Sequence, residues 1–172
     1  MEHPESFAPQ GAPLHTALHL RDDRILAVRE VEVTEPAALE AQHAYATELL
    51  ERFGFSIPTS DEPQEGARFI AILHDNTVVG YGGIRPVPTR LAAAEVKRMW
   101  VDDQWRRSGL GSALLRRLEE IAAEDGYREV VLDTNGALSE AIRLYERAGY
   151  RRVRRYNDNP DVELFFAKDL VG

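Results

Sequence analysis

The sequence predicts an α+β fold, a mixed, mostly antiparallel, twisted sheet flanked by helices. Three observations predict it. Residues 68–101 read as three successive strands joined by short turns, which makes an antiparallel meander. Two amphipathic helix patterns follow, separated by the short apolar run "EVVLDT", which suits a buried strand. Two more strand patterns, "YRRVRRY" and "VELFFAKDL", close the chain. There is no internal repeat and no low-complexity block. A chain of 172 residues fits one domain with a real core, so a single domain is expected over 15–172, after a flexible tail at 1–14.

The elements follow from local chemistry. "TALHL" and "RILAVREVEV" flank "RDD", which suggests a hairpin near 16–33. "TEPAALEAQHAYATELLERFG" is a helix, with Thr34 as its cap, Pro36 in its first turn and Gly54 at its exit. "RFIAILHD" and "TVVGYGGIRP" pair around the turn Asp75-Asn76. "VPTR" connects to the third strand of the meander, "AAEVKRMWV". A helix over about 109–125 places Leu110, Leu114, Leu118 and Ile121 on one face. In "LSEAIRLYERAG" the stripe is Leu138, Ala141, Ile142 and Tyr145, with Gly149 at the exit.

Bulk properties narrow the class. Apolar residues make up 44% and charged residues 29%, and the mean hydropathy is −0.37, values of an ordinary soluble domain. No run reaches the length of a membrane span. The N-terminus "MEHPESFAPQGAP" lacks the basic and apolar regions of a signal peptide. There is no cysteine, which excludes disulfides, thiolate metal sites and a cysteine nucleophile. No two histidines have ligand spacing with a carboxylate, so no metal is expected. These features suggest the cytoplasm. The net charge of −8 disfavours nucleic acid as a partner. The charge is uneven. Residues 1–93 hold 7 Lys/Arg against 14 Asp/Glu, and residues 94–172 hold 14 against 15. An acidic half for the substrate and a more balanced half for an anionic cofactor would produce that asymmetry, as would solvated surface charge.

The stretch "WRRSGLGSALLRRLEE" carries the chemistry. The first turn of a helix leaves backbone N–H groups without intrahelical partners, and these favour anions. Gly109 and Gly111 let a bulky anion approach the main chain, and Arg106 and Arg107 add charge. The loop suits a phosphate or diphosphate. Glycines placed for tight helix packing are the alternative. The spacing departs from two nucleotide motifs. No lysine follows the glycines, as a P-loop requires. The third position of a dinucleotide fingerprint is Leu114, and seven residues, Asp102 to Ser108, separate Val101 from the first glycine. Asp133 sits where a ribose-binding acid would, which keeps a dinucleotide binder as a weak rival.

"VKRMWVDDQWRRSGLGSALLRRLE", residues 96–119, resembles the acetyl-CoA signature of the GNAT (GCN5-related) N-acetyltransferases, with Arg106, Gly109 and Gly111 on its [Q/R]xxGx[G/A] loop. "EAIRLYERAGY", residues 140–150, resembles the family's late helix, and "VVGYGGIRP" its typical strand. The resemblance covers 68–170 well and 25–60 loosely. It implies the acyl-CoA N-acyltransferase fold, in which the family's fourth and fifth strands splay to admit acetyl-CoA.

Further implications follow from the resemblance. The backbone of Met99, Trp100 and Val101 would bond the acetyl group and pantetheine. The amides of Arg106, Arg107, Ser108, Gly109, Leu110, Gly111 and Ser112 would bond the diphosphate. One strand amide would stabilise the oxyanion. Tyr145 matches the tyrosine that protonates the departing thiolate, and is otherwise a core tyrosine. Glu95, 14 residues before Gly109, matches the glutamate base of a subset, and is otherwise a strand glutamate paired with Lys97 or Arg98. Where the family often has asparagine this chain has Leu138, so Asn135 is the substitute contact to the cofactor, or a turn residue. Tyr81, Arg85, Tyr156 and Phe165 are acceptor-pocket candidates. His74 reads as turn-proximal, and "RRVRR" at 151–155 as a solvated strand.

The reading is an acetyl-CoA-dependent N-acetyltransferase acting on a primary amine, by direct attack. The acidic first half tilts the acceptor towards a small cationic molecule. The rival from another class is an acyl-CoA-binding sensor or partner module without turnover. Exposed sheet edges leave a homodimer open.

Overall fold

The computed structural model describes residues 17–170, so the proposed tail at 1–14 lies outside the described residues. The described residues form one eight-stranded sheet with two helices on one face and one on the other. Strands β1 (Ala17–His19) and β2 (Ile25–Val31) make the expected hairpin. Helix α1 (Pro36–Phe53) follows. Its N-cap is Glu35, not Thr34. Pro36 is ready-made for the first helical position, which puts the cap one residue later than expected. No side chain caps the helix there. The Glu35 carboxylate instead accepts from the N–H of Glu32 at 3.1 Å. Gly54 ends the helix in the left-handed region, as expected, at φ 74°.

The meander comprises β3 (Arg68–His74), β4 (Thr77–Pro86) and β5 (Ala93–Val101). Asp75 and Asn76 both have positive φ, 48° and 62°, as a tight two-residue hairpin turn requires. Helix α2 (Leu110–Glu124), β6 (Glu129–Thr134) and α3 (Ser139–Arg147) come next. The last pair is β7 (Arg151–Arg152) and β8 (Leu164–Asp169). The expected strand over "YRRVRRY" shrinks to two residues. Beyond Val153, Arg155 bonds the carbonyls of Asn159 and Val162 at 2.8 and 2.7 Å and turns the chain into a loop.

The strand order is β1-β2-β3-β4-β5-β6-β8-β7, and every pair is antiparallel except β5–β6. The Leu110, Leu114 and Leu118 stripe of α2 packs with Tyr145 of α3 on one face, against Ile72 and Val96. Ala38 and Ala41 of α1 cover the other face, against Phe69, Tyr81 and Trp100. Among the described residues no helix is long and apolar enough to cross a membrane.

Two irregularities set up the site. The parallel β5–β6 ladder has three pairs and stops at Glu95↔Val131. Past that point the two strands diverge. In the same part of β5 the register with β4 shifts opposite Gly82, and Arg98 takes φ 56°. This is a bulge, which turns the strand edge outwards.

Burial raises the pKa of Tyr45, Tyr81, Tyr145, Tyr150 and Tyr156. The Glu119 and Glu95 carboxylates add to the rise at Tyr150 and Tyr156. A phenol ionises more readily once unfolded, so this contribution to stability is complete below about pH 10 and is lost as pH climbs above it. The denaturant midpoint should hold up to about pH 10 and then fall. Native-state absorbance near 295 nm should show these five phenols ionising only with unfolding. Ionisation of most phenols in the folded protein near pH 10 would contradict the packing described.

Candidate active site

The gap between β5 and β6 opens into a cleft of about 2280 Å³, and the glycine loop forms its rim. The loop folds because its own side chains tie it down. Asp102 caps the short turn Asp103–Trp105 by accepting from the N–H of Gln104. The Ser108 hydroxyl donates to the carbonyl of Trp105 and accepts from the N–H of Leu110 at 3.2 Å. The Leu110 side chain is fully buried and anchors the helix start. Arg107 and Gly109 both have positive φ, 64° and 86°. The amides of Arg107, Ser108, Gly109, Gly111 and Ser112 donate to no described acceptor. Those of Arg106 and Leu110 are spent, on the Asp103 carbonyl and on Ser108. This corrects the expectation that all seven amides face the ligand.

The glycines are not packing residues. A Cβ on Gly109 would meet nothing within 4 Å, and one on Gly111 would come no closer than 3.5 Å, to Leu144. Protein neighbours therefore leave room for a side chain at both. The open space fits a diphosphate lying against the main chain. Arg106 does not add free charge. Its guanidinium pairs with Glu48 of α1 and Asp103 and donates to the Val101 carbonyl at 3.1 Å. Arg107 is exposed and lines the cleft. So do Arg116, Arg143 and Arg147, which have no ion-pair partner among the described residues. Sequence reading missed these three because no motif marks them.

Met99, Trp100 and Val101 line the cleft on the edge of β5 that β6 has left. The Val101 carbonyl is already taken by Arg106. Continuing the β5–β6 register would set Lys97 opposite Asp133. Their side chains meet there, at 3.0 and 3.2 Å. Asn157 donates to Asp133 at 2.7 Å and reaches Glu95 at 3.4 Å. Side-chain bonds thus span the gap where the backbone ladder ends.

Tyr145 is 8% exposed and lines the cleft. Its hydroxyl has no protein partner among the described residues, yet no buried polar side-chain atom is left unsatisfied. The hydroxyl therefore opens into the cleft. Burial pushes its pKa well above the ordinary tyrosine range, with smaller rises from Tyr45 and Asp133. It stays a neutral donor at any working pH.

Glu95 lies behind the cleft wall, enclosed by other side chains. It is 3% exposed and does not line the cleft. One oxygen accepts from Arg85 at 2.9 and 2.8 Å, with Lys97 at 3.5 Å, and the other accepts from Tyr156 at 2.5 Å. The expected pairing with Arg98 does not form, because Arg98 is held by both oxygens of Asp61. Tyr156 is spent on Glu95, and Phe165 packs edge-on beneath it, 5.2 Å between centroids. Neither lines the cleft. Tyr81 is fully buried, stacked on Phe69 and bonded to Gln42 at 3.1 Å. Of the four acceptor candidates only Arg85 faces the cleft. Asn135 lines it too, but its side chain accepts from Ala137 and donates to the Asp161 carbonyl, both at 2.9 Å. It is the turn residue that leads into α3. His74 lies against Trp105, 4.9 Å between centroids, at the strand end as expected.

The acetyltransferase (GNAT) family model matches residues 35–150. Human N-acetyltransferase 8 is 34% identical over 93 residues, 52% of this chain and 41% of that protein. The chain thus spans under half the length of that relative. The uncharacterized N-acetyltransferase YjgM of Escherichia coli K12 is 29% identical over 154 residues, 86% of this chain and 87% of that one. The GNAT domain of S. lividans PAT superposes with a TM-score of 0.71 over 93% of this chain and all of that one, at 21% identity. With a matched model over more than half its length, a split β5–β6 pair and a glycine-opened helix at the split, the chain belongs to the GNAT family of acetyltransferases.

Proposed function

We propose that the protein moves an acetyl group from acetyl-CoA to a primary amine by direct attack. The observation that carries this is the run of unspent amides at the start of α2, beside a bare edge of β5 and an open tyrosine hydroxyl. The amides of Arg107, Ser108, Gly109, Gly111 and Ser112 would hold the diphosphate, with Arg107, Arg116, Arg143 and Arg147 supplying charge around it. The edge of β5 at Met99 and Trp100 would line the pantetheine arm. Acetyl-CoA supplies an activated thioester. Tyr145 donates a hydrogen bond to the sulfur as the carbon–sulfur bond breaks.

Glu95 takes no proton in this scheme. It holds Arg85 and Tyr156 in place. The amine loses its proton to water in the open cleft, and the rate follows its neutral fraction. The acceptor class is a small cationic amine. Most carboxylates on the cleft wall are matched by a cation, including Glu48, Asp61 and Asp133. Glu62 and Asp161 also line the wall and have no ion-pair partner among the described residues, which leaves them for a second positive charge on the acceptor.

Thiol release over a panel of mono- and polyamines tests the assignment. Turnover should appear with amines carrying a second positive charge. Tyr145→Phe should lower kcat by about 100-fold with little change in acetyl-CoA affinity. Binding without turnover on any amine would favour a cofactor-sensing module.

Glu95→Gln should lower the unfolding free energy by about 1–3 kcal/mol by leaving Arg85 without its charge partner. It should leave the shape of the pH–rate profile unaltered. Loss of a titration step in that profile would restore Glu95 as the base.

Gly111→Ala separates ligand binding from packing. The added methyl meets only ordinary contacts and gains helix propensity. Thermal stability should hold or rise, while calorimetry should show at least about tenfold weaker acetyl-CoA binding. A destabilised variant that binds normally would make the glycine a packing residue after all.

A further inference from the structure

Tyr45 stands on α1, on the face of the sheet opposite α2 and α3. It is half-buried and lines the cleft. Like Tyr145, its hydroxyl has no hydrogen-bond partner among the described residues and is not sealed from the cleft. Tyr145 comes from the other face. The two phenols are close enough for Tyr45 to raise the pKa of Tyr145, and Asp133 acts on both. An intact sheet would separate them. Both line the same cleft because β5 and β6 part beyond Glu95↔Val131.

We infer that Tyr45 is a second catalytic residue, whose phenol oxygen accepts one N–H of the incoming amine and so aims the nitrogen lone pair at the acetyl carbon. The inference rests on the proposed acetyl transfer and deepens it on the acceptor side. The nitrogen forms its bond to the acetyl carbon and the carbon–sulfur bond breaks. The sulfur leaves with the electron pair as a thiolate; the amine gives its displaced proton to water, and water returns one to the sulfur, which ends as the thiol. Tyr45 is neither consumed nor charged. Burial raises its pKa, which keeps it neutral. Arg98, Asp133 and Glu48 act on it electrostatically, and all three are already matched, by Asp61, Lys97 and Arg106. The phenol is thus the polar group left unspent on this side of the gap.

Packing is the alternative, since the Tyr45 ring also lies against the core under α1. Tyr45→Phe keeps the ring and removes only the hydroxyl. The expected result is about a tenfold fall in kcat/KM for the amine, with acetyl-CoA affinity by calorimetry unchanged. A primary amine can give one N–H to Tyr45 and still lose the other. Its N-methyl derivative has only one, so the wild-type preference for the primary amine should shrink in the variant. Wild-type turnover with unchanged amine kinetics in Tyr45→Phe would overturn the role of Tyr45 alone. So would a variant that loses acetyl-CoA affinity in step with amine kinetics. Failure of the wild-type protein to bind acetyl-CoA, or to turn over any amine, would overturn the transfer reading itself and Tyr45 with it.

Discussion

The site depends on a short parallel ladder. β5 and β6 exchange backbone bonds over three residue pairs and then separate, and Lys97 and Asp133 meet in register just beyond. A fourth and fifth rung would be worth little against water but would close the cleft. A buried ion pair is a poor way to gain stability, because desolvating both charges cancels most of their attraction. It is a good way to fix a separation. Removing one partner leaves the other part-buried and unmatched. Asn157 and Glu95 extend the bridge towards the closed end of the gap. Strands held apart in this way leave main-chain groups of β5 facing the open cleft, where water or a ligand can pair with them.

The second constraint ties the glycine loop to the helix on the far face. Arg106 joins the loop to Glu48 of α1 and closes the Val101 carbonyl. Gln42, one helical turn and a half earlier on α1, bonds Tyr81, the Val33 carbonyl and the N–H of Asp61, and Asp61 in turn holds the bulge residue Arg98. α1 therefore touches both the loop and the bulge. Residues expected to bind ligand directly act instead as the frame. Arg106 spends its charge on holding five neighbouring amides in position.

What could be read in advance was whatever is encoded locally. The α2 stripe, the Asp75-Asn76 turn and Gly54 each depend on a few adjacent residues, and they stand where the pattern put them, whereas Leu138 of the α3 stripe caps that helix on the cleft side. Gly109 and Gly111 were legible because a helix start has the same chemistry in any fold. Side chains whose role depends on distant partners were not. Glu95 looked like a base, but Arg85 and Tyr156, 10 and 61 residues away, enclose it. Tyr81 looked like a pocket residue, but Gln42, 39 residues away, completes its burial. Tyr45 was missed because it sits on a helix with no motif. Its place at the gap is a consequence of the split sheet, which periodicity does not report.

The same charge matching bears on how, under the proposed transfer, an amine would become a nucleophile without a dedicated base. Around the gap Glu95 meets Arg85, Asp133 meets Lys97 and Asp61 meets Arg98. Each carboxylate that would welcome an ammonium already has a cation. An amine nitrogen moving from the open cleft to the gap between Tyr45 and Tyr145 would therefore lose hydration and gain only neutral phenols. Desolvation without a counter-charge disfavours the protonated form. Entry itself pushes the proton off towards the open side, where water can take it. Charge on the acceptor is useful further out, near Glu62 and Asp161, and harmful at the reacting nitrogen. On the proposed reading, a site balanced in this way would select a neutral nitrogen at its centre while still attracting a cationic molecule to its mouth.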